Sequence, residues 1–394
     1  MKKLLAIVLC LVMVLSIFGC TASKEPEKID LYADRPLGSY YTGDANYVKA
    51  HDFTASLHDY YAQYEIECDN GILSKNDAFN WVGGADVKLP TPKREYTVGF
   101  SCYCTFDEVG AMYYKGMQDA CKEAGIKLNI QDANYEQDKQ NEWVEQQILE
   151  KVDAVIMTAC DFYGCKEALD ALEAAGIPVI TLDAPPCAGN TQCCVMYDGV
   201  EQGQKAGEFL LEKLQNDGVE MKGKIYFGTL PYKHPNADTR EFGFRSVFKD
   251  FPDVEVKALT GEEADEHYTA FEGILLAESE DIIGLWGLYS SATIGIMNAV
   301  KAGDYNIPIT SVDNDRIILE GVYNGEILST ICYGAVEGSR LALAATINYL
   351  NGEGIPSIIY QGNTIVSKDN VEEAFEIYYG GATLKDYMNA EAAE

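Results

Sequence analysis

The sequence predicts a duplicated α/β architecture: two doubly wound parallel-sheet lobes behind an N-terminal accessory segment. Two observations predict it. From Tyr96 onward, short apolar runs of strand character alternate with longer amphipathic runs of helical period. The whole set then runs a second time, restarting at Tyr197-Asp198-Gly199. Strands alternating with helices of roughly 10–15 residues imply parallel sheets with right-handed crossovers.

Each element has its own signal. In the first set, strands are expected over 96–102, 127–131, 154–158 and 177–182. The helices between them are expected over 108–124, 136–150 and 164–175. Gly125 and Gly176 stop two of these helices as C-caps. Asp183-Ala184-Pro185-Pro186 then breaks the chain. In the second set, a helix over 200–215 precedes strands near 224–227, 254–259, 282–285 and 307–312. Helices near 237–249, 267–278 and 292–302 connect them. In such sheets a ligand lies beyond the carboxyl ends of the strands. Two sheets facing each other across those ends form a cleft that hinges can close.

The N-terminus reads as an export signal. Lys2 and Lys3 precede an apolar run of about 15 residues, short of the roughly 20 needed to span a bilayer. The stretch Ser16-Ile17-Phe18-Gly19-Cys20 resembles a bacterial lipobox, which implies lipidation of Cys20 after removal of residues 1–19. The remaining chain is too long for one small core and suggests two or three packed units. Residues 20–94 read as a tether and an accessory segment, Tyr-rich, with a helix expected over 47–66 and an extended linker at Leu89-Pro90-Thr91-Pro92.

Composition narrows the function. The chain has 394 residues, 47% of them hydrophobic and 23% charged, and a net charge of −32. The leader removes two lysines and no acid, so the mature chain is more negative still. Such a surface repels nucleic acid and anionic lipid alike. Acyl chains, not a basic face, would make the membrane link.

The order of elements from Tyr96 to about Phe375 resembles the ribose/galactose-type periplasmic binding proteins, which bind free sugars for ABC importers. Val98-Gly99-Phe100-Ser101 is similar to that family's first strand. Residues 175–183 are similar to the strand that delivers a ligand-binding Asp. Thr239-Arg240-Glu241-Phe242-Gly243-Phe244 resembles its Arg-x-x-Gly-Phe helix start, and residues 309–314 its second Asp-bearing strand. Residues 325–331 resemble the later strand that leads back through a hinge. The resemblance implies a periplasmic binding protein of type I, its two lobes joined by a three-segment hinge. Lobe 1 would hold 95–198 plus 334–353, lobe 2 would hold 199–333 plus 354–380, and 381–394 would form a tail. Crossings are expected near 197–199, 333–334 and 352–357.

It also implies a site. Asp183 belongs to the first lobe, Arg240 and Asp313 to the second. A carboxylate accepts from vicinal sugar hydroxyls, and a guanidinium donates to them in a fork. Phe106, Tyr289 and Tyr333 supply rings for the C–H faces of a sugar, and Asp107 stands where an Asn is typical. Other roles for the charged residues are a turn or cap for Asp183, a solvated surface position for Arg240, and a helix cap for Asp313. On the ligand-binding reading, Asp183→Ala and Arg240→Ala weaken binding and leave the thermal transition nearly intact. Ala184 stands where the family commonly has Arg, Tyr289 where it has Asn or Asp, and Tyr333 where it has Gln, Asn or Asp. The family's aromatic pair near Val109 and Gly110 is absent. This site is therefore more aromatic and less cationic than a ribose site. A pentose, hexose, deoxy sugar or nucleoside-like ring suits it.

The implied partners are a small-molecule ligand, an ABC transporter permease and the membrane through the lipid anchor, with the protein a monomer outside the cytoplasm. A sensor that presents a nucleoside, autoinducer or other small molecule to a receptor is the alternative. No catalytic residue, cofactor or metal is expected. Neither a dinucleotide nor a Walker glycine pattern follows a first strand, and no Gly-x-Ser-x-Gly elbow occurs. The four histidines do not cluster, and His234 reads as a surface residue. Of twelve cysteines, Cys104, Cys160 and Cys187 map to neighbouring strand ends. Buried free thiols, a Cys160–Cys187 disulfide and a thiolate metal site are all open readings.

Overall fold

The computed structural model describes residues 47–49, 69–70, 78–81 and 87–391, apart from residues 163, 185, 187 and 233. The leader, Cys20, the tether and Cys187 lie outside the described residues, and so does most of the expected helix over 47–66. The first three residues of that span form a strand instead, β1 (Tyr47–Lys49). With β2 (Asp69–Asn70) and β3 (Ala78–Trp81) it makes up the described strands of the accessory segment. Pairing decides here over local spacing, because β1 runs antiparallel to β3.

The first set holds β4 (Thr97–Cys102), α1 (Glu108–Ala124), β5 (Lys127–Asp132), α2 (Gln137–Glu150), β6 (Ala154–Met157), α3 (Lys166–Ala175), β7 (Val179–Asp183) and β8 (Ala188–Gly189). It ends on β9 (Cys193–Tyr197), a strand the sequence reading passed over. All five of its residues are buried, as parallel strands covered on both faces require. The second set holds α4 (Gly199–Asn216), β10 (Gly223–Thr229), α5 (Pro235–Phe248), β11 (Val254–Thr260), α6 (Ala264–Glu278), β12 (Ile282–Gly287), α7 (Ser290–Ala302), β13 (Ile309–Val312), α8 (Arg316–Asn324) and β14 (Ser329–Tyr333). The chain then returns through α9 (Ala335–Leu350) and β15 (Ile358–Gln361) to the first sheet. It finishes on the second with β16 (Asn363–Ser367), α10 (Val371–Tyr378) and α11 (Leu384–Glu391).

The first sheet has the order β1-β3-β15-β9-β7-β6-β4-β5, and the second β11-β10-β12-β13-β14-β16. Within the second set every pairing is parallel until β16 turns back against β14. The chain passes between sheets after Tyr197, after Tyr333 and between Gln361 and Asn363. The third crossing is therefore not at 352–357. β15 still pairs with β9, from Ile358 beside Cys194 to Gln361 beside Tyr197, so residues 358–361 stay with the first sheet.

Local chemistry sets the elements that carry the cleft. Asp107 caps α1 by accepting from Gly110 N at 2.5 Å, and Gly125, at φ 69°, ends it. Under the second sheet, Phe244 stacks on Trp286 with ring centroids 4.1 Å apart. That buried pair fixes the inner face of α5. Helices α4 and α5 touch backbone to backbone. A Cβ on Gly203 would lie 1.9 Å from the Arg240 carbonyl oxygen, and one on Gly243 would lie 2.0 Å from that of Val200. Glycine at both positions lets α5 sit low enough to aim Arg240 at the cleft.

Candidate functional site

A cavity of about 940 Å³ lies between the carboxyl ends of the two sheets. Its centre is built by two aspartates in unusual backbone positions. Asp183 ends β7 at φ 87°, and Asp313 follows β13 at φ 85°. Left-handed backbone is uncommon for residues other than glycine, and Asp tolerates it better than most. It costs on the order of 1–3 kcal/mol at each position and persists only where the surroundings over-determine it.

For Asp313 those surroundings are dense. Its Oδ1 accepts from Arg240 Nη2 at 3.3 Å and from Tyr333 Oη at 3.2 Å. Its Oδ2 accepts from the Ser290 backbone N–H at 2.9 Å and the Ser290 hydroxyl at 3.1 Å. Asp313 thus caps the start of α7, not the helix that follows it. Arg240 is buried, so it is not the solvated alternative. Its Nε donates to Gln202 Oε1 at 2.8 Å and its Nη1 to the Leu288 carbonyl at 3.0 Å. The guanidinium also lies over the Tyr197 ring at 4.9 Å. Burial opposes its charge, but Tyr197, Asp313, Tyr333 and Asp183 together outweigh burial and hold its pKa above the ordinary arginine value.

The first-sheet side is softer. Asp183 accepts from Tyr113 Oη at 3.3 Å and from Asn236 Nδ2, which reaches across from the second lobe, also at 3.3 Å. Burial is the main reason its carboxyl is pushed up to about 6. Arg240 pulls the other way, and Asp313 and Asp107 add to the rise. Asp107 accepts from Tyr103 Oη at 3.1 Å and Tyr135 Oη at 3.3 Å beyond its capping bond. Rings line the walls: Tyr103 and Tyr135 at 5.0 Å, Phe106 and Tyr135 at 5.5 Å, Tyr197 and Tyr333 at 4.4 Å.

All seven residues read from the sequence line this one cavity: Phe106, Asp107, Asp183, Arg240, Tyr289, Asp313 and Tyr333. They differ in how they do so. Phe106 is 71% exposed at the rim. The Tyr289 hydroxyl is tied back, donating to the Gly261 carbonyl at 2.7 Å and lying 2.8 Å from His267 Nε2. His234 is not a surface residue. It lines the cavity just before α5, edge-on to Phe162, and burial lowers its pKa to about 4.

Sequence reasoning missed Tyr103, Tyr135, Tyr197, Asn236 and Ser290, which also line the cavity, and Tyr113 behind Asp183. Asn236 lies four residues before Arg240 on one helix, a spacing that puts both on the same face. Tyr197 closes the strand at the first crossing. Nothing local marks Tyr135.

Among the thiols, Cys160 lines the cavity, and Cys102, Cys104, Cys121 and Cys332 are buried and unbridged. The Cys160–Cys187 pairing falls outside the described residues. Among the described residues, no group of three or more His, Cys, Asp or Glu side chains is arranged to hold a metal.

The family model of the periplasmic binding protein domain matches residues 98–354, more than half of the chain. The chain belongs to the periplasmic binding protein family. It is 25% identical to the ribose import binding protein of Bacillus subtilis over 274 residues, covering 68% of this chain and 86% of that one. It is 24% identical to a xylitol-binding protein of Mycolicibacterium smegmatis, covering 66% of this chain and 74% of that one. Its fold matches an ABC transporter solute binding protein of Agrobacterium vitis bound with α-D-tagatopyranose, at TM-score 0.65 and 20% identity, over 73% of this chain and 99% of that one. It matches one of Bacillus halodurans with bound myo-inositol at TM-score 0.63 and 19% identity, over 72% and 98%. These relatives are binding proteins, and the family is not one of enzymes.

Proposed function

We propose that this chain is an exported, lipid-anchored solute-binding protein that captures a small polar ring, a monosaccharide or cyclic polyol, and delivers it to an ABC importer. The observation that carries the reading is the opposition of Asp183 on one sheet to the Arg240–Asp313 pair on the other, across a cavity walled by aromatic rings. Carboxylates and a guanidinium held on rigid strand ends and a helix suit vicinal hydroxyls, and the rings suit C–H faces. A ligand held from both lobes stabilises the closed arrangement by its differential affinity. Relatives named for ribose and xylitol, and neighbours solved with tagatose and myo-inositol, support this cargo class. Anchoring rests on Cys20 and the apolar leader before it.

The test is a thermal-shift panel of monosaccharides, polyols, nucleosides and amino acids on the soluble form that starts after Cys20. A ligand specific for the folded state adds about 2.7 kcal/mol at a hundredfold excess over Kd. A shift with a sugar or polyol supports the reading. A shift confined to nucleosides or amino acids replaces the cargo, and silence across the panel removes the reading.

A further inference from the structure

The charge of the cavity is out of balance. Asp107, Asp183, Asp313 and Asp315 all line it; burial raises the pKa of Asp183 and Asp315, and the neighbouring carboxylates of Asp313 and Asp107 add to the rise at both. Asp161, Glu262 and Glu263 add three more carboxylates at its exposed edge. Among the described lining residues, Arg240 is the one permanent cation, and His234 is held neutral. Arg240 already spends three of its five N–H donors within the protein, Nε on Gln202, Nη1 on Leu288 and Nη2 on Asp313.

No described cation lies within ion-pair distance of Asp183 or Asp107, and Arg240 favours the charged form of Asp183 without bonding to it. Their partners are the hydroxyls of Tyr113, Tyr103 and Tyr135, the Asn236 amide, the Cys104 thiol and the Gly110 N–H. Two half-buried carboxylates in one cavity with no bonded counter-ion favour a ligand that supplies positive charge. The rings beside them, Tyr103, Tyr135 and Phe106, present π faces that attract a cation within about 6 Å. A wholly neutral sugar would leave this field unanswered.

We infer that the cargo carries a positive charge: an amino sugar or aminocyclitol whose ammonium group sits between Asp107 and Asp183, with its hydroxyls on the Arg240–Asp313 side. This rests on the reading of the cavity as a sugar or polyol site. Asp183, with two donors of its own, has room to accept from the ammonium, while Asp107, already holding four donors, acts on it through charge, and the ligand's charge completes the first-lobe side as Arg240 completes the second.

The test uses matched pairs at about pH 6.5, below the ordinary range of α-amino groups. Glucosamine, galactosamine, mannosamine and an inosamine are titrated calorimetrically beside glucose, galactose, mannose, myo-inositol and the N-acetylated forms. At least one amine is expected to bind tenfold or more tighter than both its neutral parent and its N-acetyl derivative. Asp183→Asn is expected to bring that preference to within about threefold of unity with the thermal transition retained. Binding of neutral members equal to or tighter than the amines overturns the inference and leaves the sugar-binding reading standing. An amine preference that survives in Asp183→Asn overturns the placement of the charge. No binder in either column overturns both readings together.

Discussion

Replacing Arg240 by alanine should destabilise the second lobe as well as empty the cleft of its guanidinium. A ligand-contact role alone implies an unchanged thermal transition, and the structure argues otherwise. Arg240 is 4% exposed and bonded to Gln202, to the Leu288 carbonyl and to Asp313. Removing one partner of a buried ion pair costs about 3–5 kcal/mol, because the other charge is left behind. Asp313 keeps Tyr333 and both Ser290 donors, which places the cost near the lower end, about 3 kcal/mol. At roughly 2–4 °C per kcal/mol, the ligand-free variant should melt roughly 6–12 °C below the parent. Asp183→Ala, whose carboxylate is already penalised by burial, should melt within about 2 °C of it. Differential scanning calorimetry of the ligand-free proteins separates the two. A double-mutant cycle with Asp313→Ala isolates the pair, and the double variant should lose less than the sum of the singles. An Arg240→Ala transition within about 2 °C of the parent would refute the buried-pair reasoning.

Three further outcomes are expected. Burial pushes Asp183 up to about 6, Asp315 to about 7, and Asp198 and Glu337 to about 8. The folded chain then holds protons that the unfolded chain has released, so stability is lost as pH rises from about 4 through these values. The ligand-free melting temperature should be higher at about pH 5.5 than at about pH 8, and a rise with pH across that window would contradict the assignment. Gly203→Ala forces α4 and α5 apart at the Arg240 backbone, where ordinary contact is impossible at 1.9 Å. It should cost about 1–3 kcal/mol and weaken ligand binding, whereas Gly273→Ala, with nothing within 4 Å, should do neither. Glu108, at the start of α1, accepts from the Arg316 backbone N–H at 3.1 Å and lies 2.5 Å from Tyr379 Oη on the opposite lobe. Glu108→Gln should increase the ligand-free radius of gyration in X-ray scattering and weaken binding several-fold, and unchanged scattering would remove its role as a latch.

The periodic part of this protein was legible in its sequence, and the cleft was legible where side chains hang on that period. Asp183 and Asp313 stand at strand ends, where the alternation of elements stops, and Arg240 sits one turn into a helix marked by Gly243. That glycine has a reason visible only in three dimensions, since a Cβ would lie 2.0 Å from the Val200 carbonyl oxygen. What stayed hidden was set by contacts between distant segments. Tyr135 enters the site because its ring packs on Tyr103 and its hydroxyl reaches Asp107, residues separated from it by the whole of α1. The third crossing was placed early because Gly352 to Ser357 looks like a break, while β15 is kept on the first sheet by pairing with β9, about 160 residues earlier. His234 reads as surface from the chain because polar loops usually are, yet this loop opens the helix whose first turns line the cleft. The charge of the site follows the same division. Arg240 as the arginine of the site was legible in the chain. That its guanidinium is tied to Gln202, Leu288 and Asp313 was not, and those bonds leave the first-lobe carboxylates without an ion pair of their own.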